Sequence, residues 1–342
     1  MSEAGLVSVV IPAYNRAHTV ARCVDSVLSQ THPQVEAIVV DDGSRDNTAE
    51  VMKRYAGDRR VRYVPKENGG VSTARNRGMR ESRGEFMALL DSDDWWFADK
   101  LDLQVKILRE FPQAGMVWTD MQAVDKSGKV LKSPYLREMY HAFRFFPRYA
   151  DMFAESRKLR VGALGEVTVY SGDIFGPMSL GSLVHTSTCL MRTDRMRKVG
   201  EFREDWRIGE DYDYHLRTCR EGPVAFADAV TTNYQIGEAD QLTVNSYSKL
   251  IASRFIDVME RNFREYGARI QLPDWMVREC KIEAYAWAAE SALETHKMAE
   301  ARRFAFQSLR LKPRQPRQLR IVMASLLPAG AWALARRALG KN

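Results

Sequence analysis

Three short apolar runs near the start of the chain each stop at a polar cluster, and this constrains the fold more than any other feature. Val7–Ile11 ends at Pro12-Ala13-Tyr14-Asn15. Val35–Val40 ends at Asp41-Asp42-Gly43-Ser44, and Phe86–Leu90 ends at Asp91-Ser92-Asp93-Asp94. An apolar run of this length, halted abruptly by carboxylates, reads as a buried strand that delivers charge to its exposed carboxyl end. Helical spacing lies between the runs. Thr19–Gln30 carries Val20, Val24, Val27 and Leu28 on one face, and Thr48–Tyr55 follows Asn47, a residue suited to cap it. Val61–Val64 reads as a further strand, Gly69–Glu81 as a loop entering a helix, and Asp99–Glu110 as another amphipathic helix. Strands alternating with helices predict an α/β fold with a mostly parallel, doubly wound sheet. In such sheets ligands bind outside the carboxyl ends of the strands, so the three polar clusters should share one crevice.

The rest of the chain is less regular. Met116-Val117-Trp118 reads as a strand, while residues 133–175 are aromatic and basic with little periodicity, suited to a cover or a loop. From Tyr247 onward the pattern is helical, and Ala284, Ala288, Ala292, Ala301 and Ala305 recur every four positions in a predicted hairpin over Ala284–Leu311 resembling one tetratricopeptide unit. These readings divide the chain into residues 1–243, with halves 1–115 and 116–243, and a C-terminal helical region over 244–342.

The formal charge of +7 is unevenly spread. Ala301–Asn342 holds ten Lys or Arg and no Asp or Glu, leaving 41 basic against 44 acidic groups before it. A nucleic-acid-binding body is therefore not indicated, whereas a tail over 312–342 suits an anionic membrane surface. Packing of that tail on the body is the alternative. Its uncharged stretch Ile321–Ala335 contains Pro328 and falls short of the ~20 residues of a spanning helix. Four scattered cysteines argue against a zinc or disulfide framework and suit a reducing, cytoplasmic setting. Met1–Gly5 does not read as a signal peptide.

The clusters carry a specific resemblance. Val7–Asn15, Val40–Thr48, Asn68–Gly78 with its Ala-Arg-Asn-Arg-Gly ending, Leu90–Asp94, and Gly200-Glu201-Phe202 followed by Gly209–Asp213 resemble, in order, the motifs of family 2 glycosyltransferases. The resemblance spans about residues 6–243. It implies a GT-A-like fold and an inverting, non-processive transfer from a nucleotide-sugar donor, UDP- or dTDP-linked, to a glycan or lipid-linked saccharide. It implies a base pocket formed by Pro12, Ala13, Tyr14 and Asn15 with Asp42, and diphosphate or ribose contacts from Gly70 and Arg75. It places Asp91, Ser92 and Asp93 at the donor, with Asp93 the direct ligand of Mg²⁺ or Mn²⁺, Asp91 supporting the metal site through ribose or a metal-bound water, and Asp94 orienting the loop. Asp211 would be the catalytic base, supported by Glu210.

Each assignment has a plainer counterpart. Asp42-Gly43-Ser44 makes an ordinary turn. Arg75 suits a solvated helix face, three acids make a solvated turn, and Glu210 and Asp211 favour a helix dipole. If residues 91–93 run extended, both carboxylates of the i, i+2 pair point the same way. His185 reads either as part of an acceptor wall or as a satisfied core residue.

Two departures qualify the resemblance. The chain has no Gln-x-x-Arg-Trp sequence, which disfavours a processive polymerase. It also lacks the late histidine ligand of many relatives, having Asn233–Gln241 there, with Glu238 or Asp240 as substitutes. A sugar-nucleotide nucleotidyltransferase would need a glycine-rich basic loop in place of Pro12–Arg16. A non-catalytic scaffold would not need Asp42, Asp93 and Asp211 together.

Overall fold

The computed structural model describes residues 2–237 and 248–326. The chain forms two compact units, 1–239 and 240–342. In the first, the strands are β1 (Glu3–Ala13), β2 (Val35–Asp41), β3 (Val61–Pro65), β4 (Gly84–Leu89), β5 (Trp95–Trp96), β6 (Met116–Val124), β7 (Val130–Lys132), β8 (Glu155–Val161), β9 (Gly165–Gly172), β10 (Cys189–Arg192) and β11 (Val224–Gln235). Its helices are α1 (Val20–Leu28), α2 (Thr48–Met52), α3 (Val71–Glu81), α4 (Lys100–Glu110), α5 (Leu136–Met139), α6 (Phe175–Met178), α7 (Thr193–Val199) and α8 (Glu210–Arg220).

The strands join one sheet in the order β3-β2-β1-β4-β10-β6-β11-β9-β8, with β5 paired to β11 and β7 to β6. The first four strands are mutually parallel, as the alternation predicts. Every side chain of β2 is buried, the mark of a parallel strand covered on both faces. The second half departs from that pattern. Strand β10 runs antiparallel between β4 and β6, and β8 and β9 form an antiparallel hairpin. The aromatic and basic segment 133–175 is thus partly sheet, not merely a loop. Val167, Val169 and Ser171 of β9 alternate inward, a period-two signal obscured by the basic residues of β8.

Local chemistry shifts several boundaries. Asn47 does not cap α2 with its side chain; Asp46 does, its Oδ1 accepting Thr48 N–H at 2.9 Å and the Thr48 hydroxyl. Helix α3 packs on β1 and β2. A Cβ at Gly78 would lie 2.2 Å from a Val10 methyl, so glycine sets how low α3 rides over the sheet. That height brings the first turn of α3 over the strand ends.

The second unit contains α9 (Ser248–Tyr266), α10 (Asp274–Glu294), α11 (Met298–Leu311) and α12 (Pro316–Ala324). Ala284, Ala288 and Ala292 of α10 and Ala301 and Ala305 of α11 are all buried, which lets these helices approach closely in a hairpin. Residues 327–342, the greater part of the amphipathic tail, lie outside the described residues. Among those described, no helix is long and apolar enough to cross a membrane.

Lys100, at the start of α4, is completely buried. Its ammonium donates to Gln104 Oε1 and lies 4.2 Å from the centre of the Trp96 ring. Burial lowers its pKa from 10.5 to about 7. Between those values the unfolded lysine holds a proton that the folded one has released, so this group contributes stability that rises with pH. We expect Lys100→Met to flatten that rise. Denaturation midpoints of both proteins across this pH range test it, and identical slopes would contradict the account.

Candidate functional site

The carboxyl ends of β1, β2 and β4 lie side by side. Ala13 is in register with Asp41, and Asp42 N–H donates to Ala13 C=O at 2.8 Å. Pro12 and Ala13 are buried at the end of β1, while Tyr14 is exposed just beyond it. Asn15 takes a positive φ of 54° and its Oδ1 accepts Arg45 N–H at 2.8 Å, joining this loop to the one after β2.

Asp42 is buried and already engaged. Its Oδ1 accepts Gly69 N–H at 2.9 Å and the Lys66 ammonium, and its Oδ2 accepts Gly70 N–H at 2.7 Å. It therefore shapes the entry to α3, a role not read from the sequence. Gly70 sits at φ 95°, a left-handed conformation that favours glycine.

Arg75 is neither solvated nor pointed at open space. It is buried, with Nη2 donating to Asp91 Oδ1 and Nη1 to Glu210 Oε1, each at 2.8 Å. The next residue extends the tie: Asn76 Nδ2 donates to Phe202 C=O at 2.9 Å, and Phe202 N–H donates back to Asn76 Oδ1 at 2.8 Å. The first two turns of α3 thus hold both the end of β4 and the segment leading to α8. Helix α8 begins at Glu210, so Glu210 and Asp211 occupy its first turn.

The acidic cluster after β4 is a turn. Asp94 N–H donates to Asp91 C=O at 3.0 Å, so residues 91–93 do not run extended and the alternation argument for their side chains fails. Aspartate and serine favour such turns because their side chains bond locally. Ser92 is buried, whereas Asp91 and Asp93 keep partial exposure. Asp94 is almost wholly buried and anchors the turn. Its Oδ2 accepts the Ser187 hydroxyl at 2.6 Å and its Oδ1 accepts Gln235 N–H at 3.1 Å. Ser187 Oγ also accepts Asp91 N–H at 3.2 Å. Ser187 and Gln235 escaped the sequence reading because their only signal is spatial.

The electrostatics follow from this packing. Burial opposes ionisation of Asp91, but the Arg75 guanidinium outweighs it and holds the carboxyl below its ordinary range. Asp94 is pushed far up by burial and by the charges of Asp93 and Asp91. Burial and the neighbouring Asp211 raise Glu210, and Arg75 only partly offsets them. One guanidinium thus serves more negative charge than it neutralises. Paired, partly exposed carboxylates with surplus charge are the oxygen donors a hard divalent cation takes, so Asp91 and Asp93 fit such an ion. Among the described residues no three His, Cys, Asp or Glu side chains form a complete ligand set. Glu238 and Asp240, the substitutes for the missing histidine, lie outside the described residues. His185 is not a satisfied core residue: it is buried, and its Nδ1 has no hydrogen-bond partner.

Residues 8–162 match the family model of Glycosyl transferase family 2. These residues carry a family 2 glycosyltransferase domain. It is 39% identical over 228 residues to an uncharacterized glycosyltransferase of Rickettsia felis, covering 66% of this chain and 33% of that protein. It is 34% identical over 153 residues to a chondroitin synthase of Escherichia coli, covering 41% of this chain and 22% of that protein. The chain thus spans a third or less of the length of these relatives. The glycosyltransferase domain has the GT-A fold. A structure of S. aureus TarS 1-349 in complex with UDP-GlcNAc aligns with TM-score 0.55 at 16% identity, covering 98% of this chain and 92% of that one. The mannosyltransferase PcManGT of Pyrobaculum calidifontis, in complex with GDP-Man and Mn²⁺, aligns with TM-score 0.56 at 16% identity, covering 98% and 88%.

The Arg75 bridge makes a direct prediction. Arg75→Met leaves Glu210 and Asp91 without their cation and should destabilise the domain by about 3–5 kcal/mol. Glu210→Gln in the same chain should recover part of that loss by removing a buried charge. Denaturant unfolding of the two single variants and the double variant measures the coupling, and strict additivity would show that the bridge is energetically idle.

Proposed function

We propose that the chain is an inverting, metal-dependent, non-processive glycosyltransferase. It moves a sugar from a UDP- or dTDP-linked donor to a hydroxyl of a glycan or lipid-linked saccharide in cell-surface polysaccharide synthesis. The observation that carries this reading is the Arg75 bridge, which couples the Asp91 turn to the Glu210–Asp211 pair across 135 residues of sequence. A transfer enzyme needs such a coupling, because leaving group and attacking hydroxyl must be held together.

In this reading Tyr14, Asn15 and Asp42, over Pro12 and Ala13, bind the base. Gly70 and Ser92 line the path of the ribose and diphosphate. A divalent cation, Mg²⁺ or Mn²⁺ held by Asp91 and Asp93, would neutralise the departing diphosphate, with phosphate and water completing its coordination. Asp211, at the start of α8, takes the proton of the acceptor hydroxyl. The acceptor oxygen bonds to the anomeric carbon as the bond to the diphosphate breaks, and the nucleoside diphosphate leaves with that electron pair. A single displacement inverts the anomeric centre, with the logic of inverting glycoside hydrolysis. Glu210, held by Arg75, fixes the geometry of the turn that presents Asp211.

The matched neighbours include proteins whose structures hold UDP-GlcNAc or GDP-Man with Mn²⁺, which supports a nucleotide-sugar donor and a metal. The basic segment 312–342 supports a place at the cytoplasmic face of a membrane, on anionic lipid.

The test is release of nucleoside diphosphate from a panel of UDP- and dTDP-sugars with Mn²⁺. Asp211→Asn should lower kcat by about 10²–10⁴, and EDTA should abolish turnover. A wild-type chain that turns over no donor, or an Asp211→Asn variant with full activity, sinks the proposal.

A further inference from the structure

The turn anchor Asp94 brings two further segments to the site. Through Ser187 it fixes the 3₁₀ turn Thr186–Thr188, which His185 precedes. Through the Gln235 amide it fixes the end of β11, where Tyr234 is the preceding residue. His185 and Tyr234 are thus delivered to the same side of the acidic turn, and their rings meet edge to face with centres 4.8 Å apart. Tyr140, just after α5, approaches the same imidazole at 6.5 Å, and Tyr135 stacks on Tyr234 at 6.2 Å. The three tyrosines are half-buried.

The charges locate this wall relative to the acids. Asp211 and Asp91 both act on His185 and on Tyr140. Burial nevertheless holds the imidazole below its ordinary range, so it is neutral near pH 7 and offers Nδ1 as either donor or acceptor. That nitrogen is buried without a partner, a state that is destabilising unless something pairs with it. Its neighbours on the wall are aromatic, and the carboxylates facing it disfavour an anion. What suits the place is a neutral ring with apolar faces and hydroxyl edges.

We propose that Tyr140, His185 and Tyr234 form the wall that holds the acceptor, a neutral pyranose, with His185 Nδ1 hydrogen-bonded to one of its hydroxyls. The inference rests on the glycosyltransferase reading and adds to it the residues that hold the acceptor. The wall presents the sugar to Asp211; because Nδ1 is buried, binding has to displace a side chain over it. The sequence offered His185 alone as part of an acceptor wall and gave no hint of Tyr140 or Tyr234, which come from just after α5 and from β11.

The experiment uses the full chain with UDP-glucose, UDP-galactose, UDP-N-acetylglucosamine or dTDP-glucose and Mn²⁺. Nucleoside diphosphate release is measured with and without methyl β-glucoside, methyl β-galactoside or methyl β-N-acetylglucosaminide. In the wild type the glycoside should accelerate release. His185→Leu should reduce the ratio of accelerated to unaccelerated release by about tenfold, through a higher KM for the glycoside. His185→Asn, which keeps a polar atom near Nδ1, should retain most of it, and Tyr140→Ala should raise the same KM. Stabilisation of each variant by UDP on thermal unfolding shows that its donor site has formed. Three results overturn the wall: equal behaviour of the Leu and Asn variants, loss of UDP stabilisation together with the acceleration, or a wild type that turns over donor with no glycoside effect. A wild type that releases nothing from any donor overturns the glycosyltransferase reading itself, and the wall with it.

Discussion

A buried guanidinium with a carboxylate on each side holds this domain's working end together. Removing Arg75, Asp91 and Glu210 from water is costly, and only close hydrogen-bonded contact offsets it. The contact is close on both sides, and Arg75 and Glu210 are each about 95% buried. Helix α3 supplies the arginine, its height is set by Gly78 against Val10, and its next residue clasps Phe202. Backbone placement, glycine choice and side-chain chemistry on one helix therefore converge on the same task, namely bringing the end of β4 to the start of α8.

The acidic turn works by dividing labour among like charges. Asp94 gives both oxygens to Ser187 and Gln235 and is buried, so its charge is disfavoured and its role is mechanical. Asp91 is held ionised by Arg75. Asp93 keeps partial exposure at the corner of the turn. Three carboxylates that repel one another in the sequence become an anchor, a paired anion and an outward-facing ligand candidate.

Much of this was legible in the sequence. The parallel strands β1, β2 and β4 followed from apolar runs stopped by polar clusters, because a buried strand must shed its charge at its end. The start of α8 at Glu210 followed from acids preceding a helical pattern. Other features were hidden for physical reasons. The β8–β9 hairpin alternates on one face only, and long basic side chains mask the period. Asp94 and Ser187 lie 93 residues apart, and nothing local distinguishes the anchoring aspartate from its neighbours. Arg75 read as a ligand for phosphate or a solvated side chain, since its second carboxylate arrives from a helix 135 residues away. Asp42 read as a turn or a base contact, and its bonds to the backbone amides of Gly69 and Gly70, 27 and 28 residues on, had no local signal.

Strand β10 has a consequence for how such a domain can be altered. It lies antiparallel between β4 and β6 and is contributed by residues 189–192, far along the chain from its partner β4. The first hundred residues look like a self-contained parallel α/β module, but cut out alone they would bare the edge of β4 and strand a charged Arg75 beside a lone Asp91. Truncation after β4, or recombination of the halves, would therefore break a shared sheet. Variation has to enter through the loops around the strand ends, where backbone is not shared between the halves.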